Sequence, residues 1–503
     1  MKLENENLRE TPRLKRELGL LHTTMMGIGG AISAGVFVML GYATTLAGTT
    51  VIIALVLCGI INVFTMCSYA ELGAALPKAG GEYTFAKAAY GGFTSFFTGW
   101  FEWISNMFFA ALSAVGFAYM IQYIIPVQMP PALVALLAIT VIVIFASINV
   151  RGIKEAGTAE VIMIIILLVI LVAYILGGLF NPQIGDFQLY APEGALGVIR
   201  ATAYIFAVYL GAEAVAVAQA EIKNPSKTIP RAILLSSGAL VVFYTLIAYV
   251  TLRIVPIQQL SGETAPIIFA AGQALGRLGI ILLVIGGTIA ALSSLNTSIM
   301  AQSRVAYALS RDGYFPKTLM RVHHKFSTPH IAVVVGAIFT AVLAATGVIN
   351  FVGYATDFGF IIGFALVNLS LMKLRREKPL LERPFKTPFY PFTPIAGIVT
   401  SLFLLIFIDV GVLSLGAMLC VLAVLAYYIR MVGYLRFRVA FGGISIGLGG
   451  FTALLAYLIG TGIMSLNGAS PTALTVIVII LLFASIIQLL AGVLNVTAKS
   501  STI

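Results

Sequence analysis

Long apolar runs recur from about residue 19 to residue 494, divided by short polar stretches that hold most of the charge. A helical membrane span needs ~20 mostly apolar residues. By that measure the runs fall at roughly 19–47, 50–76, 90–125, 131–150, 157–179, 195–220, 231–252, 278–310, 331–349, 352–373, 392–409, 411–431, 439–463 and 472–494. The pattern predicts an all-α polytopic membrane protein with about 14 spans. Only 10% of residues are charged and 60% are hydrophobic, a balance outside that of soluble globular domains.

The polar stretches fix the expected orientation. With the N-terminus cytoplasmic, all but three of the 30 Lys and Arg residues fall on the cytoplasmic side; Arg200, Arg253 and Arg277 are the exceptions. Positive charge collects on that side of membrane proteins, and gaining or losing one span would invert every later loop. The net charge of +11 is therefore a topology signal. It forms no aromatic-interleaved patch, so nucleic acid is not an expected partner; the lipid bilayer is. Residues 1–18 read as a cytoplasmic tail with no cleavable signal peptide, and 495–503 as a second cytoplasmic tail. Cys58, Cys67 and Cys420 lie in apolar runs, with neither disulfide nor metal-ligand spacing. No cofactor or metal is expected.

Within the first run, Gly27 to Phe37 carries four glycines in nine residues. Each glycine costs a helix ~1 kcal/mol relative to alanine and frees the backbone. Unwound backbone at membrane depth must be buried in protein or line a cavity, as at a secondary-transporter site; a small-residue packing face is the other reading. The sixth run repeats the interruption, placing Gly211 and Glu213 mid-segment. Interrupted segments at corresponding positions of two halves point to a substrate site. That correspondence holds if residues 19–179 and 195–373 are two five-span repeats, which an odd number of spans orients oppositely. The last four spans, 392–494, then form an appended module. In the loop Pro256 to Gly276, a short re-entrant or surface helix is expected after Ala265-Pro266.

Four motifs carry a resemblance. They are GIGGAISAGVF at Gly27–Phe37, YAELGAALPKAGGEY at Tyr69–Tyr83, EIKNPSKTIPR at Glu221–Arg231 and SRVAYALSRDGYFP at Ser303–Pro316. Over about residues 12–435 the chain resembles the amino acid–polyamine–organocation (APC) superfamily of transporters. The resemblance implies an inverted five-helix repeat fold (5+5) with additional C-terminal helices. It also implies alternating access, and amino acids or their amines as substrates.

It further implies site residues. A substrate carboxylate is expected on backbone N–H groups at Ser33-Ala34-Gly35, where the family's middle hydroxyl is replaced by Ala34. Half-helix N-termini suit an anion. Carbonyls near Ala31, at Ala207 and at Leu210 are expected to receive the ammonium. Ala207 stands where many relatives carry a gating aromatic, so either Phe206 or Tyr209 covers the substrate, or the pocket is wider and takes a bulky side chain, or the two aromatics pack in the core. Glu213 is the expected coupling or pH-sensing acid, since a mid-membrane carboxylate is costly and a functional candidate; a permanently protonated partner is the bland alternative. Glu102 is a second candidate, against snorkelling at a helix end. Glu71, Lys78, Glu82 and Lys87 are expected at an inner gate or as solvated loop charges. Proton-coupled relatives carry a span-five lysine at the position of Leu167. Its absence leaves Glu213, sodium or plain exchange; Ser293, Ser294 and Thr297 are the sodium candidates on span eight, against ordinary backbone bonding by those hydroxyls.

The expected function is a secondary active transporter in the cell membrane. It would move an amino acid by alternating access through proton-linked symport or exchange (antiport), with H+ or Na+ as partner ion. Alternatives are a polyamine or other organic cation transporter, a sodium-coupled amino acid symporter, and a non-transporting sensor or channel on the same scaffold. An enzyme is not expected. His323, His324 and His330 lie in or beside a loop, and no G-x-x-x-x-G-K-[ST] sequence suggests ATP use.

Overall fold

The computed structural model describes residues 16, 18–77, 80–122, 129–151, 156–180, 188–219, 222–260, 262–326, 328–347, 349–431, 434–460 and 471–497. Lys78 lies outside them. The helices are α1 (Leu20–Ala31), α2 (Ala34–Ala47), α3 (Val51–Ala75), α4 (Gly81–Ala89), α5 (Gly92–Gln122), α6 (Pro131–Arg151) and α7 (Ala156–Leu179). They continue with α8 (Gly194–Ile205), α9 (Ala214–Val217), α10 (Pro225–Ile254), α11 (Ile257–Leu260) and α12 (Pro266–Arg311). The last are α13 (His330–Ala344), α14 (Ile349–Glu377), α15 (Phe392–Leu405), α16 (Val410–Met431), α17 (Tyr434–Gly460) and α18 (Pro471–Thr497). Among the described residues the only β pairing is an isolated bridge between Leu18 and Ile222.

Nine helical stretches among the described residues are long and apolar enough to cross a membrane; one is the run Leu20–Ala75 that holds α1, α2 and α3. α13 and α15 are apolar but shorter.

Two compact units divide the chain, Met1–Ala417 and Met418–Ile503. In the first, α5, α12 and α14 are buried along much of their length, as are α2 and α3. Small residues let these helices approach: Gly116 of α5 lies directly on the Ala34 side chain, and Gly359 of α14 on Ser105 of α5. α6 and α7 instead show Leu136, Val143, Ile162 and Val169 on their surfaces, the pattern of helices that face lipid. α10 and α12 each begin with a proline in the first turn, where a missing N–H removes no intrahelical bond. α12 bends at Gly276, whose φ of 60° interrupts the helix. The segment Pro266–Leu275 is thus the short helix expected after Ala265-Pro266, preceded by the single turn of α11.

In the second unit α17 and α18 pack antiparallel along small residues. The Ser485 hydroxyl donates to the Gly449 carbonyl at 2.7 Å, and the Thr452 hydroxyl donates to Gln488 at 3.1 Å. Gly492 sits on the Gly442 carbonyl.

Candidate functional site

Both glycine-bearing interruptions are breaks in the helix. α1 stops at Ala31, and α2 restarts at Ala34 after two non-helical residues. Ser33 is extended and caps α2, its hydroxyl accepting from the Gly35 N–H at 3.0 Å. Such a cap satisfies one of the donors that a helix start leaves open. α8 stops at Ile205 and continues as a 3-10 turn over Phe206–Tyr209. Leu210 is extended, and Gly211 has φ 122°, a conformation that favours glycine.

The two breaks touch through backbone. A Cβ on Gly30 would stand 2.8 Å from the Gly211 carbonyl oxygen, and a Cβ on Gly211 would overlap the Gly30 carbonyl and the Ala31 nitrogen. Glu213 folds back on its own turn, where both carboxylate oxygens accept from the Gly211 N–H at 2.7 and 2.8 Å.

Around this junction lies a small space of about 10 Å³, room for about one water. Gly30, Gly211, Glu213 and Thr297 line it together with Glu102, Asn106, Phe360 and Glu82. Glu102 is 3% exposed and accepts from the Tyr83 N–H at 2.9 Å. It caps α4 from within the core and does not snorkel to a helix end. Glu82 is 1% exposed. One of its oxygens accepts from the Tyr69 hydroxyl, while the other has no hydrogen-bond partner among the described residues. Three buried carboxylates therefore face one cavity. Sequence reasoning assigned Glu82 to a gate or a solvated loop; what it missed was the nine-residue helix α4. The double glycine Gly80-Gly81, with φ of 117° and 47°, is the signal that the chain turns sharply inward there.

The other expected site residues are buried near the breaks, several with their groups already engaged. The Ala31 carbonyl accepts from the Tyr244 hydroxyl at 2.9 Å, and the Ala207 carbonyl accepts from the Leu210 N–H at 3.2 Å. Phe206 stands edge-on to Phe364, with ring centroids 6.0 Å apart. Tyr209 stands edge-on to Tyr244 at 5.1 Å. The hydroxyl candidates on α12 separate. Ser293 donates to the Gly29 carbonyl at 3.3 Å, Ser294 pairs with Ser113 of α5 at 2.8 Å, and Thr297 faces the cavity.

Two charged clusters flank the site. Glu71 is fully buried and receives Arg375 at 2.9 Å, Arg383 at 3.2 Å and the Thr387 N–H at 2.7 Å. Lys87 meets Asp312 at 2.6 Å just past the end of α12, and the Tyr83 hydroxyl donates to the same carboxylate. Burial pushes the Asp312 carboxyl up, but those hydrogen bonds outweigh it and hold it below the usual range. The clusters tie α3 to the segment after α14, and α4 to α12.

Comparison with known proteins places the chain among transporters by sequence. The chain is 28% identical over 409 residues to the branched-chain amino acid permease BcaP of Bacillus subtilis, covering 78% of this chain and 88% of that protein. It is 28% identical over 429 residues to the methylthioribose transporter of the same organism, covering 80% and 92%. Against an uncharacterised protein of Methanocaldococcus jannaschii the identity is 31% over 345 residues, covering 66% and 78%. Residues 18–428 match the profile of the family described as amino acid permease, and the chain thus belongs to that family of the APC superfamily.

Proposed function

We propose that this permease is a secondary transporter that carries an amino acid across the cell membrane by alternating access, in proton-linked symport or exchange. The reading includes about 14 spans, five each in the inverted repeats 19–179 and 195–373 and four more over 392–494, with both termini cytoplasmic as the Lys and Arg distribution supports. The observation that carries it is the backbone junction of the two broken helices at Gly30 and Gly211. Helix ends there supply N–H donors for a carboxylate and carbonyls for an ammonium, beside a buried acid, Glu213. The name of BcaP makes branched-chain amino acids the first substrates to try.

Glu82 favours a second reading, transport of a substrate with an additional cationic group, such as a polyamine. Three carboxylates on one cavity exceed what a zwitterion needs, and buried charges are stable only when paired.

Both readings are tested with a panel of radiolabelled amino acids and polyamines in proteoliposomes, imposing proton and sodium gradients separately. Glu213→Gln is expected to abolish uptake or remove its pH dependence; wild-type uptake across pH would reject the role given to Glu213. Counterflow of labelled substrate separates a carrier from a channel or sensor.

A further inference from the structure

Three buried side chains whose polar atoms lack hydrogen-bond partners among the described residues share one neighbourhood. Asp357 of α14 is fully buried, and neither carboxylate oxygen has a hydrogen-bond partner among the described residues. The same holds for both ends of the Asn62 amide on α3, and for the hydroxyl of Tyr209 in the 3-10 turn before Gly211. Cys58 links the three. It lies within electrostatic reach of both Asp357 and Tyr209, and Asn62 follows it by one turn on the same face of α3. Tyr209 also lies over Gly59, where a Cβ would stand 3.2 Å from its hydroxyl.

Unpaired buried polar groups are rare in native proteins, and an ionised carboxylate in such a place is prohibitively costly without a counter-charge. None is at hand. The groups that bear on Asp357 are the Cys58 thiol of α3, the Tyr204 hydroxyl of α8 and the Tyr354 hydroxyl of its own helix. Beyond them Tyr42 of α2 packs edge-on against Tyr204 at 4.8 Å. From α5, Phe101 and Ser105 meet α14 at Phe358 and Gly359, and from α2 Met39 meets it at Gly353. From α4, Glu82 meets α14 at Gly363, six residues further along. No Lys, Arg or His among the described residues bears on Asp357.

We propose that Asp357 is a second proton-binding site of the transport cycle, separate from Glu213. It carries a proton in this arrangement and exchanges it with water when the packing between α14 and the turn Phe206–Tyr209 opens. The step is a single proton transfer: an O–H bond forms on a carboxylate oxygen with a proton taken from water, and breaks by returning that proton to water. The geometry couples the step to the substrate junction. Tyr209 packs edge-on against Tyr244, whose hydroxyl holds the Ala31 carbonyl at the end of α1. Displacing the turn therefore disturbs the acid's shell and the first helix break together. Between Asp357 and the protein surface, Tyr354, Tyr204 and Tyr42 pack edge to face, and Tyr42 is 38% exposed; parting them gives water a route.

The inference rests on the transporter reading, so one of its two tests is independent of transport. The chain has four aspartates, Asp186, Asp312, Asp357 and Asp409. Infrared spectra of the purified protein at neutral pH, with and without carboxyl-13C aspartate, are expected to show a label-sensitive protonated-acid band. That band should be lost in Asp357→Asn and kept in Asp186→Asn, Asp312→Asn and Asp409→Asn. Absence of the band from wild-type protein overturns the proposal even if Asp357→Asn fails to fold. A band that vanishes on adding sodium overturns it in favour of a metal cation. In proteoliposomes, Asp357→Asn is expected to cut uptake driven by an inward proton gradient at least tenfold and to flatten its pH dependence; wild-type values for both would overturn the coupling. If no substrate is transported at all, the function proposed above fails while the infrared result still decides the state of Asp357.

Discussion

Replacing Gly211 by alanine tests the junction of the two broken helices most directly. Two penalties add. A non-glycine residue held at a φ of 122° costs about 1–3 kcal/mol. The new Cβ also overlaps the Gly30 carbonyl and the Ala31 nitrogen. Those are backbone atoms, so no rotamer change relieves the clash, and overpacking of this kind costs about 1–3 kcal/mol more. The expected loss is therefore about 2–6 kcal/mol, a large share of a protein's typical 5–15 kcal/mol. The control is Gly238→Ala. Gly238 lies in α10 with open space around it, so there alanine gains up to ~1 kcal/mol of helix propensity. Fluorescence-monitored thermal melts of both variants in detergent, alongside uptake in proteoliposomes, give the comparison. Gly211→Ala should melt well below wild type and transport little, and Gly238→Ala should melt at or above it. If Gly211→Ala melts and transports like wild type, the breaks do not meet through backbone and the argument from their contact fails.

Two further variants extend the test. Glu71→Gln leaves Arg375 and Arg383 without their buried carboxylate, a change worth about 3–5 kcal/mol; thermal melts should show it, and an unchanged melting temperature would mean the cluster is solvated. Ser33→Ala removes the cap of α2 and should cost about 1 kcal/mol in the same melts, while Ser33→Asn, which can cap as well, should restore most of it.

Much of the membrane architecture was legible because it is written in runs of one character. The breaks were legible for the opposite reason, since glycines and an acid at Gly27–Gly35 and Gly211–Glu213 contradict a plain span. What stayed hidden depends on side-chain direction. The sequence marks Ser33 only as part of a backbone N–H turn, whereas its hydroxyl accepts from the Gly35 N–H, which follows from a backbone angle and not from composition. α4 was missed because it is short and mixed in polarity, and Glu82 was missed with it. Asp357 was passed over although it stands alone in the apolar run 352–373. A single acid in such a run is as legible as Glu213, but the helix around it is unbroken, since α14 runs straight through Gly353 and Gly359.

The cap on α2 has a consequence for binding. With the Ser33 hydroxyl resting on the Gly35 N–H, the half-helix already holds an oxygen of its own at the donor that the proposed function would offer to a carboxylate. A carboxylate that takes this donor gains only its advantage over that hydroxyl, and surrenders up to ~1 kcal/mol, about fivefold in affinity. Under the proposed function the Ser33 hydroxyl is thus an internal stand-in for a carboxylate, one that caps the break in the empty protein and that a substrate would have to displace.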